Sequence, residues 1–179
     1  MQTIQPIQLE DASDSTKRLL LAASGLTGLP SNMIRTVAHS QRALEGYLQF
    51  SRALAGGRLD PRERVQLALT VAQANLCEYS LAYHTALARK LGLIDDHILA
   101  SRQGHADDPK VDSALRFARE LVAENGDCSP VELFKAGFTE REIVEIIALV
   151  ALNVFENYFN IVAKTDIDLP KVGLKLKVD

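Results

Sequence analysis

The chain has 179 residues, 47% of them hydrophobic, a net charge of −3 and two cysteines. That is enough apolar material for the core of one domain, too few cysteines for a disulfide framework, and no basic stripe that would mark a nucleic-acid binder. The opening "MQTIQPIQLEDASDS" lacks the basic start and apolar core of a signal peptide, and the longest apolar run, "IVEIIALVALNVF", is short for a membrane span and broken by Glu145 and Asn153; a soluble cytoplasmic protein with resting thiols reduced is the expectation.

The punctuation is that of helices. A first helix carries "KRLLLAAS" from Ser15 to Ser24 and stops at Gly25; Ser31 can cap "NMIRTVAHS"; "QRALEGYLQFSRALA" ends at Gly56-Gly57. Asp60-Pro61-Arg62-Glu63 is a strong start, with Asp as N-cap, Pro in the first turn and Glu three residues on. That helix runs to about Asn75, and another follows from about Cys77 to Leu91, stopping at Gly92. "DDHILAS" is a short helix and "PKVDSALRFARELVAEN" a longer one ended by Gly126. Ser129-Pro130-Val131-Glu132 reads as a capping box, and Thr139 with Glu142 as another that opens the longest helix, Glu140 to about Lys164. The tail "TDIDLPKVGLKLKVD" alternates and could be a strand or an arm laid on a neighbour. The fold class expected is all-α, about eight helices in a single domain over 1–179, with arms at 1–14 and 165–179. A short echo between "RERVQLAL" and "REIVEIIAL", with Tyr79 and Tyr158 at the same offset, fits either two related helical units or two amphipathic helices with similar caps.

Chemistry concentrates in "NLCEYSLAYH". On a helix that advances about 100° per residue, Cys77, Ser80 and His84 share a face. Cys77 would sit in the first turn, where free N–H groups and the helix dipole lower a thiol pKa, with His84 deeper as a proton relay. The bland alternatives are an inert buried cysteine and a satisfied histidine. Cys128, in the loop "NGDCSP", reads as a bystander; Asn157 and Asn160 read as anchors of backbone or subunit contacts; His97 and His105 lack companions for a metal site.

Four stretches in order resemble one family: "GLPSNMIRTVAHS" with "ALAGGRLDPRERVQLAL"; "AQANLCEYSLAYHTALARKLGL"; "SALRFARELV"; and "GFTEREIVEIIALVALNVFENYFNIVAKTDIDLP". From about Gly25 to Val172 the chain is similar to the carboxymuconolactone decarboxylase / alkylhydroperoxidase D-like family, in its peroxidase-related bacterial branch. The resemblance implies a small all-α protein that assembles with itself as a dimer, trimer or hexamer. It also implies a Cys-x-x-Cys pair whose second cysteine attacks a hydroperoxide and whose first resolves it, with a histidine and a preceding-helix glutamate relaying protons. The first cysteine matches Cys77 and the histidine His84. The second cysteine matches Ser80, the glutamate positions fall on Val65 and Gln73, and the glycine before the first cysteine is Leu76.

A serine cannot cycle through a sulfenic acid, and no local disulfide can form without a thiol at position 80; Gln73 keeps the shape of a glutamate but accepts no proton. The candidate site is therefore Cys77, Ser80, His84 and Gln73, with no metal or cofactor called for. Three functions follow from the resemblance: thiol-dependent peroxide reduction, weakened or lost, using an external thiol reductant; a decarboxylase-like lyase acting on a small carboxylate through His84, Ser80 and Gln73; or a non-enzymatic oligomeric scaffold or ligand-binding protein.

Overall fold

A computed structural model describes residues 2–23 and 25–174. Among the described residues there are nine α-helices and no strand: α1 Asp14–Ala22, α2 Asn32–Val37, α3 Gln41–Ala55, α4 Pro61–Ala74, α5 Glu78–Lys90, α6 Asp95–Arg102, α7 Pro109–Ala123, α8 Val131–Lys135 and α9 Glu140–Ala163. The all-α class holds, with nine helices among the described residues where about eight were expected.

α4 is the hub, packed against α5, α6, α7 and α9. Its unbroken buried run Leu67 to Ala72 leaves almost no polar face, the signature of a helix surrounded by others. The Asp60 box forms as expected: Asp60 Oδ1 accepts from the Arg62 and Glu63 amides, and Glu63 Oε2 accepts from the Asp60 amide at 2.8 Å. Three apolar clusters surround the hub. One joins α4, α7, α8 and α9, one joins α1, α2 and α3 to the start of α5, and one joins α4, α5 and α6.

α9 is long and apolar enough to cross a membrane by length and composition, more than its apolar run suggested. Half of its most apolar stretch is buried in this protein, against α3, α4, α5 and α7, and it buries Asn153, Asn157 and Asn160; it is a core helix. Its Thr139 box is complete, with the Thr139 amide donating to Glu142 Oε2 at 2.7 Å and the Glu142 amide to Thr139 Oγ1 at 3.3 Å. The box expected at Ser129 does not form: α8 begins after Pro130, and Glu132 pairs with Lys135 at 2.7 Å instead. The echo between α4 and α9 stops at the caps, since Tyr79 is buried and Tyr158 exposed.

The Thr139 amide and hydroxyl, helped by Lys110, hold the Glu142 carboxyl at about 2, below its ordinary value of 4.5. A depressed folded-state value stabilises the fold above the ordinary value and is lost as pH falls through the folded one. Glu142→Gln is expected to cost ~1 kcal/mol at neutral pH. The difference in urea midpoint from wild type should close between pH 4.5 and about 2; a pH-independent difference would rule out the carboxylate as its source.

The tail runs as an arm along its own chain as far as Leu174. Asp168 Oδ2 accepts from the Asn32 amide at 2.7 Å, and the Leu174 carbonyl accepts from Gln73 Nε2 at 3.1 Å. The alternating end, 175–179, lies outside the described residues.

Candidate functional site

The α4–α5 junction sets the site. α4 closes in a Schellman arrangement: the Cys77 amide reaches the Ala72 carbonyl at 2.9 Å and the Leu76 amide the Gln73 carbonyl at 3.1 Å. This forces Leu76 to φ 55°, the left-handed region where glycine is at ease. Leu76 is also 61% exposed, so its side chain contributes little packing. Leu76→Gly is expected to raise stability by ~1 kcal/mol, since an L-residue there costs roughly 1–2 kcal/mol and glycine returns part of that as chain entropy. Chemical denaturation would read it, and an equal or lower midpoint would show the leucine to be unstrained.

The turn places Cys77 at the N-cap of α5, one position before the first turn. It is 2% exposed, and its Sγ donates to Ser80 Oγ at 3.2 Å. Burial pushes the Cys77 thiol up, although Ser80 and the Ser80 and Tyr79 amides pull it down. The helix start acts in the expected direction, but desolvation outweighs it, so the low thiol pKa expected from position alone is corrected to a raised one. Cys128 is raised as well, by burial and then by Glu120, Asp127 and Glu124. It packs in the α7–α9 cluster, apart from the cluster that holds Cys77.

Ser80 and His84 face a cavity of about 200 Å³ between α2, α3, α5 and α9. His84 is 8% exposed, and its Nε2 lies 3.5 Å from Glu156 Oε2. That is ion-pair range at the limit of a hydrogen bond, and both ring nitrogens are otherwise buried without a partner. Glu156, with a side chain 13% exposed, is fixed from the other side by the Tyr47 hydroxyl, which donates to Oε1 at 2.9 Å. Burial first, and the Glu156 charge second, push the Tyr47 phenol well above its ordinary value, so it stays a donor. Tyr83 is raised for the same two reasons and packs edge-on to His84 with ring centroids 5.5 Å apart. Asn160 lines the cavity with both amide atoms buried and unpartnered, and Arg52 stands exposed on its rim with no ion-pair partner among the described residues.

Of the four residues expected at the site, Ser80 and His84 share the cavity. Cys77 touches Ser80 from behind and opens instead on a shallow cleft beside Lys164 and Leu174. Gln73 is a correction: it is outside the cavity, with Oε1 accepting from Arg102 Nε and Nη2 at 3.0 and 2.8 Å. The reason is register, since position 73 of α4 faces α6 rather than α5. The acid expected on α4 is absent, and Val65 is buried in apolar surroundings; the carboxylate beside His84 comes from α9. The sequence held one signal for it. Asn153, Glu156, Asn157 and Asn160 recur at helical spacing and form a polar stripe on an otherwise apolar helix. Among the described residues no group of three or more His, Cys, Asp or Glu could hold a metal.

Similarities to known proteins follow the same lines. No curated protein matches the chain. Among solved structures, a cysteine-to-alanine variant of the debrominase Bmp8 in complex with 2,3,4-tribromopyrrole superposes with TM-score 0.80 at 17% identity, over 92% of this chain and 91% of that one. An alkylhydroperoxidase AhpD core, peroxidase-related protein from Ralstonia eutropha JMP134 gives 0.79 at 21% identity, over 92% and 93%. A peroxidase-related protein from Silicibacter sp. TM1040 gives 0.74 at 18% identity, over 95% and 93%. At these identities the likeness is one of fold. The model of the carboxymuconolactone decarboxylase family matches residues 38–120, from the end of α2 through α7 and so across Ser80 and His84. That match covers a little under half of the chain, and with the four sequence stretches in order and the shared helical fold, the chain is similar to the carboxymuconolactone decarboxylase family across the segment that holds Ser80 and His84.

Proposed function

We propose that this protein is a general acid–base enzyme acting on a small carboxylate, on the lyase side of the family it resembles, and that its thiols take no part in turnover. One observation carries the reading: Tyr47, Glu156 and His84 meet in the lining of a cavity of about 200 Å³, Tyr47 hydrogen-bonded to the carboxylate and His84 Nε2 at ion-pair distance from it, 3.5 Å. With Nε2 protonated toward Glu156, Nδ1 keeps a lone pair to take a proton from the ligand, and the imidazolium so formed is balanced by the carboxylate. Ser80 Oγ accepts from Cys77, which leaves its own proton to donate to a ligand oxygen. Asn160 offers a free donor and acceptor, and Arg52 a cation for a carboxylate at the rim. If the ligand loses CO2, the electron pair of the broken bond enters the adjoining conjugated system, and protonated His84 returns a proton to carbon.

Two observations weigh against thiol-dependent peroxide reduction: the raised, buried Cys77 thiol and the hydroxyl at position 80. The debrominase of the same fold, captured with tribromopyrrole, supports a cavity suited to a small ring-shaped ligand. The test is exchange of deuterium from heavy water into the carbon-bound positions of small unsaturated carboxylates and lactones, followed by NMR. Exchange by the wild type that His84→Ala abolishes is expected. Exchange that survives His84→Ala, or none across the panel, would refute the reading.

A further inference from the structure

A second cavity, of about 280 Å³, lies against the first. The two share Tyr47, Ser51, Tyr83, His84 and Glu156, so they adjoin at these residues. Beyond them the lining changes character. Leu54, Val65, Leu87, Leu149 and Leu152 supply most of the surface; the polar exceptions are tied down, Asn153 spending its amide nitrogen on the Leu149 carbonyl at 2.8 Å and Arg64 donating from Nη1 to the Leu59 carbonyl. The first cavity, by contrast, presents Ser31, Ser80, Asn160 and Arg52. A pair of titratable side chains with free polar groups on one side and a mainly hydrocarbon surface on the other suits a ligand with two unlike ends.

We infer that the compartment formed by α3, α4, α5 and α9, adjoining the first cavity at His84 and Glu156, is an apolar subsite, and that its occupant is the hydrocarbon portion of the substrate whose polar end lies in the first cavity. The compartment is bordered by the same imidazole and carboxylate that would do the chemistry, so a hydrocarbon group held there lies beside the reacting group. The inference rests on the acid–base reading only for the placing of that group. The substrate class is then a small carboxylate or carbonyl compound with an alkyl or ring substituent, rather than a compact, wholly polar acid.

The experiment titrates the protein with 1-butanol, 1-hexanol and 1-octanol, and separately with the matching fatty acids, and follows the leucine methyl groups by NMR. Affinity is expected to rise up to about fourfold for each added methylene, the equivalent of ~0.8 kcal/mol, with methyl shifts at Leu54, Leu87 and Leu149. Ala55→Trp, at an exposed position on the rim, and Leu87→Asn should each flatten the chain-length gain, with thermal melting confirming that both fold. No gain among the alcohols overturns the subsite whatever the acids do. So does a gain that persists in both variants, or conversion of an oligomer to a smaller species by Ala55→Trp, which would assign this face to a second copy of the chain. The alcohols carry no carboxylate and undergo no exchange, so the subsite can hold where the deuterium test fails and fail where that test holds.

Discussion

Glu156→Gln is expected to lower turnover on the order of 10²- to 10³-fold with little change in KM. The substitution preserves shape, and the amide oxygen can still accept from Tyr47. What it removes is the negative charge 3.5 Å from His84 Nε2, which matters only once His84 has taken a proton and become cationic. An interaction made in the transition state but not in the ground state acts on kcat rather than KM. The size follows from the usual worth of a positioned acid–base group or of one preorganised electrostatic contact in a water-poor site. His84→Ala should cost at least as much, and the double variant little more than His84→Ala alone, because both act on one proton. Steady-state rates and the deuterium exchange rate check the prediction. A Glu156→Gln enzyme with wild-type exchange would remove the carboxylate from the mechanism, and additive losses would show that the two residues do not form a relay.

Ser80→Cys is expected to switch on the two-thiol peroxide chemistry that a serine at position 80 does not support. Cys77 Sγ and Ser80 Oγ already lie 3.2 Å apart, so a sulfur at position 80 needs only a small rotation to reach the ~2.05 Å of a disulfide. A thiol there sits in the first turn of α5, near free amides that stabilise a thiolate, and faces the cavity that His84 lines. Consumption of a small hydroperoxide with dithiothreitol should rise on the order of 10²-fold over wild type, the scale of rate supplied by proton transfer through a neighbouring base. Mass spectrometry after peroxide treatment should show an internal disulfide that Cys77→Ala prevents. In the wild-type background, Cys77→Ala should leave peroxide consumption unchanged. A lower rate there would show that Cys77 turns over without a partner and would return the thiol to the mechanism, and a variant at position 80 that neither consumes peroxide nor forms the disulfide would show the pair to be misaligned.

Most of the helices were legible because their ends are local events. Asp60 with Glu63 and Thr139 with Glu142 satisfy amides within one turn of themselves, so sequence spacing suffices to place α4 and α9. Ser129 shows the limit: α8 starts after Pro130, so Ser129 falls one residue short of the N-cap and its Oγ accepts only from the Val131 amide, at 3.4 Å. The shared face of Ser80 and His84 was also local, fixed by helical spacing.

What the sequence by itself determined is the all-α class, the main boundaries, and a serine three residues after Cys77, where the family it resembles carries a second thiol. These are matters of neighbours along the chain. Tertiary structure decided the rest. It took Gln73 out of the site, because the register of α4 turns that position toward α6. It raised the Cys77 thiol, because desolvation depends on everything packed around a group and not on its place in a helix. It brought Glu156 to His84 across 72 residues of sequence, because α9 packs against α5. Through-space charge and burial carry no fixed spacing in the sequence, and in this protein they turn the segment around Ser80 and His84 into a candidate proton-transfer site.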